Sequence, residues 1–189
     1  MEDMTAAYIG RLQSTLQDVN AAAMDAAIRE IHDAWSRGAQ IITLGNGGSA
    51  MTALHFVTDW AKMVFLRHGK PFRARSLVDN IGLITAYSND ISYEDVFREQ
   101  LRNVMQPGDL VVAISGSGNS ENVIRAVNYA NDHGGRTVGL CGFAGGRLRD
   151  LAHCPVWVNV QDMQLVEDVH AIFGHIVMQS LCGALQPTT

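Results

Sequence analysis

Ile41, Ile42, Thr43 and Leu44 form an apolar, partly β-branched run with no polar alternation, the pattern of a strand buried on both faces. Such a strand belongs in a parallel sheet with helices on either side, because a sheet with one wet face shows alternation. Gly45, Asn46, Gly47 and Gly48 follow, allowing the backbone to turn sharply and a ligand to approach it closely, and Ser49 is placed to cap the next helix. On that helix His55 and Asp59 stand at i and i+4 and project from one face. The helix start suits an anion, and its face suits a base or a metal ion.

A second apolar run, Leu110 to Ile114, leads directly into Ser115, Gly116, Ser117, Gly118, Asn119 and Ser120. Three hydroxyls and two glycines between a buried strand and a helix start can surround a phosphate with O–H and N–H donors, aided by the helix dipole and without a lysine. An ordinary strand-to-helix turn would use only one of those serines, as a cap.

The remaining segments repeat the alternation. Residues 4–37 have helical spacing in two phases, with Asn20 able to cap the second half and Gly38 ending it. This helix either covers the sheet or packs on another subunit. A short strand is expected over Phe72–Leu77, and a helix from Asp79 and Asn80 to Tyr87, broken by Ser88, Asn89 and Asp90. A helix over Tyr93–Met105 follows, then one over Glu121–Asn131, a strand over Thr137–Cys141 and a short helix over Arg147–Ala152. A strand over Val156–Val160 and a final helix from Met163 to Leu185 complete the chain. The expected fold is α/β, a three-layer αβα sandwich around a five-stranded parallel sheet with an added long N-terminal helix. One domain is expected over residues 1–189, with residues 1–38 as the N-terminal helical segment.

The final helix is otherwise apolar but carries Glu167, His170 and His175. Glu167 and His175 are eight residues apart and share a broad face across Ala171, with His170 off it. With His55 and Asp59 they form a possible four-ligand site for zinc or a similar divalent ion.

Charge narrows the partners: 14 basic against 19 acidic residues, the basic ones scattered, do not make a nucleic-acid surface. No apolar run nears the roughly 18 residues needed to span a bilayer, and the acidic, amphipathic N-terminus is unlike a targeting peptide. Cys141, Cys154 and Cys182 lack CxxC spacing, as expected of free thiols in a reducing compartment. A cytoplasmic address is the expectation.

Together, LGNGGSAMTALHF and VVAISGSGNSENVIRAV resemble the sugar isomerase (SIS) domain family, and His55, SNDISYEDVFREQL and the final-helix histidine resemble its phosphoheptose isomerase branch. The resemblance implies a homotetrameric sedoheptulose 7-phosphate isomerase with one zinc ion per subunit. By position, Ser115, Gly116, Ser117 and Ser120 would hold the phosphate, Asn46, Gly47, Gly48, Ser49, Asn89 and Asp90 would meet sugar hydroxyls, and Glu167 would also contact the substrate. His55, Asp59, Glu167 and His175 would sit at the metal, and the family's acid/base pair falls on Asp59 and His175. The chain departs from the family where Asp59 replaces a glutamate, Glu167 a glutamine and Gly116 a threonine. Shortening the acid while restoring a carboxylate at Glu167 suggests a different division of work, with Glu167 as base and Asp59 as ligand. The same resemblance also admits a noncatalytic phosphosugar-binding or adaptor protein, or an isomerase of another sugar phosphate.

Overall fold

The computed structural model describes residues 3–183. Its five parallel strands are β1 (Ile41–Gly45), β2 (Ala74–Ser76), β3 (Leu110–Ser115), β4 (Arg136–Cys141) and β5 (Cys154–Trp157). They lie in the order β2-β1-β3-β4-β5. The chain leaves β1 toward β2 on one side and returns to place β3 on the other, so the loops after β1 and β3 diverge and open a crevice between the strands' carboxyl ends.

The helices are α1 (Met4–Asp18), α2 (Ala21–Arg37), α3 (Gly48–His68), α4 (Ile81–Asp90), α5 (Val96–Val104), α6 (Glu121–Asp132), α7 (Gly146–Leu151) and α8 (Met163–Cys182). On one face of the sheet, Ile41, Leu110, Val112, Ile114, Val138 and Leu140 pack with residues of α2, α3 and α8, among them Ile31, Trp60 and Phe173. On the other face, Ile42, Leu44, Val111 and Ala113 pack with residues of α5, α6 and α7, including Phe97, Leu101, Val127 and Leu148. Successive strand residues thus enter opposite apolar layers, which is why the runs show no polar alternation.

Contacts from α3 and α1 set the position of α8. Trp60 Nε1 on α3 donates to the Gly174 carbonyl at 2.9 Å, and a side chain on Gly174 would overlap the Phe56 ring. At its start, Asp162 accepts from the backbone N–H groups of Gln164 and Leu165 and also pairs with Arg11 of α1. Tyr8 of α1 donates to Asp168 at 2.7 Å.

Several element boundaries differ from expectation; β2, for one, is shorter at both ends. Residues 4–37 form two separate helices, because Val19 is extended; Asn20 caps the second as expected, its side chain accepting from Ala23 N. Helix α3 begins at Gly48 with Gly47 (φ 55°) at its cap, so Ser49 lies inside the first turn and caps nothing. Helix α4 continues through Ser88, Asn89 and Asp90, closed by the Ile91 and Ser92 N–H groups on the Tyr87 carbonyl. Tyr93–Asp95 is a 3₁₀ turn ahead of α5. Finally, β5 starts at Cys154 and ends at Trp157, and α8 ends at Cys182 with Gly183 in the left-handed region. The two expected helical positions beyond Gly183 lie outside the described residues.

Candidate active site

The crevice holds a cavity of about 300 Å³ lined by Asn46, Gly47, Gly48, Ser49, Ser115, Gly116, Ser117, Ser120, Met163 and Glu167, together with Ile114. The N-termini of α3 and α6 meet here, so backbone N–H groups and the positive ends of two helix dipoles face one small volume. Among the described residues, no lysine or arginine lines it.

The serine loop is held from behind. Ser115 and Ser120 hydroxyls lie 3.2 Å apart, and Ser117 Oγ accepts from Asn119 N. Asn119 in turn accepts from Arg147 N with its side chain and from the Arg147 guanidinium with its backbone carbonyl, fixing the loop to the start of α7. Arg147 also pairs with Glu121 at 2.7 Å, and the hydrogen bonds from Arg147 and then Arg125 hold the Glu121 carboxyl below its usual range. Gly118, at φ 66°, fits against Gly145 and Gly146, where a Cβ would overlap backbone.

On the neighbouring faces of α3 and α8, His55 Nε2 lies 3.1 Å and His175 Nε2 3.9 Å from Asp59 Oδ2. Donor atoms of the three residues all lie within 4.8 Å of one another, and both histidines are exposed. Four-coordinate zinc, with bonds of about 2.0–2.2 Å, keeps its donors about 3.4 Å apart. Two imidazole nitrogens and a carboxylate at these separations fit a divalent ion and leave a fourth position open.

Glu167 is not in that group. It stands two turns before His175 on α8, and its carboxylate lies against Gly48, where a Cβ would come within 2.5 Å of Oε1. Glycine at position 48 is what lets this carboxylate reach the start of α3. Asn89 and Asp90 end α4, exposed and bonded to each other at 2.8 Å, and do not line the cavity.

Three residues join the site without having been anticipated. Met163 lies over Gly116, in the space a side chain there would fill. Asn122 and Tyr93 both hydrogen-bond to Asn46. Their partner is 76 and 47 residues away, and no local pattern marks such a contact. His170, by contrast, is buried in the core, off the face of Glu167 and His175.

Comparison with known proteins agrees with this arrangement. The SIS domain model matches residues 6–142. The phosphoheptose isomerase of Chlorobium phaeobacteroides is 35% identical over 173 residues, 90% of this chain and 76% of that one. A probable phosphoheptose isomerase of Thermoplasma acidophilum is 38% identical over 148 residues, covering 78% of this chain and 81% of its own. The solved structure of the phosphoheptose isomerase of Neisseria gonorrhoeae superposes with a TM-score of 0.86 at 26% identity, covering 95% of this chain and 97% of that one. With the parallel sheet, the paired glycine and serine loops and the His–Asp–His group in place, the chain belongs to the SIS domain family, in its phosphoheptose isomerase branch.

Proposed function

We propose that this protein is an aldose–ketose isomerase that converts sedoheptulose 7-phosphate to D-glycero-heptopyranose 7-phosphate. The observation that carries the reading is the adjacency of an anion cavity without cations to a metal-competent group on α3 and α8. The curated relatives named above as phosphoheptose isomerases support the substrate class.

Ser115, Ser117, Ser120 and the N-termini of α3 and α6 bind the phosphate through hydroxyl and N–H donors. His55, Asp59 and His175 would hold a divalent ion, and zinc would suit the two imidazoles and one carboxylate. A bound divalent ion supplies polarisation of the substrate's carbonyl or enediol oxygen. Glu167 is the carboxylate on the cavity wall, and as base it removes the C1 proton of the ketose and returns it to C2. The hydroxyl proton passes between O1 and O2 in the same exchange, so the reaction is neutral overall. Asp59 faces both histidines and serves as ligand in this division.

The exposed apolar side chains of α1 and α3, including Met4, Ile9, Met51, Phe65 and Leu66, support a homotetramer. Asn89 and Asp90, which do not line the cavity of a single chain, belong to the substrate contacts only if assembly or closure brings them there.

The division of labour is tested by two variants. Asp59→Asn is expected to lower bound metal per chain and activity together. Glu167→Gln is expected to keep the metal and reduce kcat by roughly 100-fold or more. Full turnover in Glu167→Gln with none in Asp59→Asn would return the base to Asp59.

A further inference from the structure

The side chains of Asn46, on the loop after β1, and Asn122, on the first turn of α6, face each other across the two loops that form the cavity. Asn46 Nδ2 donates to Asn122 Oδ1 at 2.8 Å, and Asn122 Nδ2 donates back to Asn46 Oδ1 at 3.0 Å. Which end of each amide is oxygen follows from the surroundings. Asn122 Oδ1 also lies 2.9 Å from the backbone N of Val123, and a backbone N–H can only donate. That sets the Asn122 amide, the Asn122 amide sets Asn46, and Asn46 Oδ1 then accepts a second bond from Tyr93 Oη at 2.8 Å.

The count of bonds at Asn46 has a chemical consequence. Both lone pairs of its oxygen are committed, one hydrogen of its nitrogen is committed, and one N–H is left. Asn122 is 2% exposed and belongs to the wall behind the cavity, whereas Asn46 lines it.

We propose that Asn122 and Tyr93 are positioning residues that hold Asn46 as a group with one donor and no acceptor, directed to an acceptor oxygen of the bound sugar phosphate. Asn46 then donates to a carbonyl, phosphoryl or hydroxyl oxygen and does not accept from a sugar hydroxyl. This deepens the isomerase reading and rests on it for the identity of the substrate. The pair also ties the glycine loop to the serine loop, so the phosphate end and the sugar end of the cavity are set by one hydrogen-bonded unit.

Asn122→Asp is the informative substitution. It preserves shape and the acceptor used by Asn46 Nδ2 and Val123 N, but puts an oxygen where Asn46 Oδ1 expects a donor. At about pH 8, kcat/KM for sedoheptulose 7-phosphate is expected to fall by about tenfold or more, as for loss of an oriented hydrogen bond; the buried carboxylate also lowers the melting temperature, so the assay is run well below it. The deficit relative to wild type should narrow as pH falls to about 5 and below, because burial and the facing Asn46 oxygen raise the new carboxyl above its ordinary range, so that it gains a proton and donates again. Tyr93→Phe, which frees one lone pair of Asn46, is expected to lower kcat/KM by about threefold. A crystal structure of Asn122→Asp at the higher pH should show the Asn46 amide turned from its place. That readout does not depend on the substrate, whereas turnover of the sugar by wild type judges the isomerase reading by itself. An unmoved Asn46, unchanged kinetics, or a loss that follows the melting temperature and does not narrow at low pH would each overturn the assignment.

Discussion

His170 sits in α8 between Glu167 and His175, yet it is 1% exposed and neither ring nitrogen has a hydrogen-bond partner of normal geometry. Burial pushes its pKa down to about 4, with the nearby Cys141 backbone pulling the other way. A base with a depressed folded pKa stays neutral in the folded protein while the unfolded chain takes up a proton. Stability should therefore fall as pH drops below about 6.5 and stop falling from this source near 4, a loss of about 3 kcal/mol. His170→Leu is expected to flatten that part of the profile of melting temperature against pH, and an unchanged slope would exclude the ring as its source. Gly116 gives a second prediction at this scale. Gly116→Thr should cost no more than about 1 kcal/mol, because the added atoms meet only the flexible end of the part-exposed Met163 side chain, and Met163→Ala in the same chain should remove that cost. Thermal unfolding of the single and double variants measures both. His55, Asp59 and His175 were legible as a group, since helical spacing and polar residues in an apolar helix betray them. The direction of Glu167 was not, because it depends on the absence of a side chain at Gly48, on another element.

Elements were legible where burial and punctuation agree. The central strands β1, β3 and β4 follow unbroken apolar runs, and Gly38 and Pro107 mark ends that hydrogen bonding respects. The ends of α4 and the split of residues 4–37 depend on which carbonyl accepts a given N–H, a choice that propensity does not decide. The shared ligand group implied that α3 and α8 meet, but the packing that holds them together and aligns that group was not legible in the sequence. Phe56 and Trp60 stack with centroids 4.6 Å apart, Phe56 fills the notch at Gly174, and Trp60 bonds to the Gly174 carbonyl. Gly174→Ala should push the two helices apart, destabilise the fold by about 1–3 kcal/mol and weaken metal retention, because His55 and Asp59 would move away from His175. Metal content after dialysis against a weak chelator, measured well below the melting temperature, separates that effect from unfolding. Retention equal to wild type would mean that the histidines are placed by something other than this contact.

For the whole molecule, the fold follows from the repeated alternation of apolar runs and amphipathic segments, and the cavity follows from strand order. Assembly is the property least visible in one chain. Helix α1 buries only Thr15 and leaves Met4 and Ile9 exposed, which fits a helix shared with another copy. Light scattering is expected to give the mass of four chains, and a monomer at working concentration would remove any site that needs a neighbouring subunit. The most direct test of the proposed chemistry is NMR of sedoheptulose 7-phosphate in D₂O with the purified protein. It would be run as isolated, after chelation, and after zinc is restored. The account predicts aldose signals that appear, vanish on chelation and return with zinc. A folded, metal-loaded protein that yields neither aldose nor solvent deuterium at C1 would contradict it.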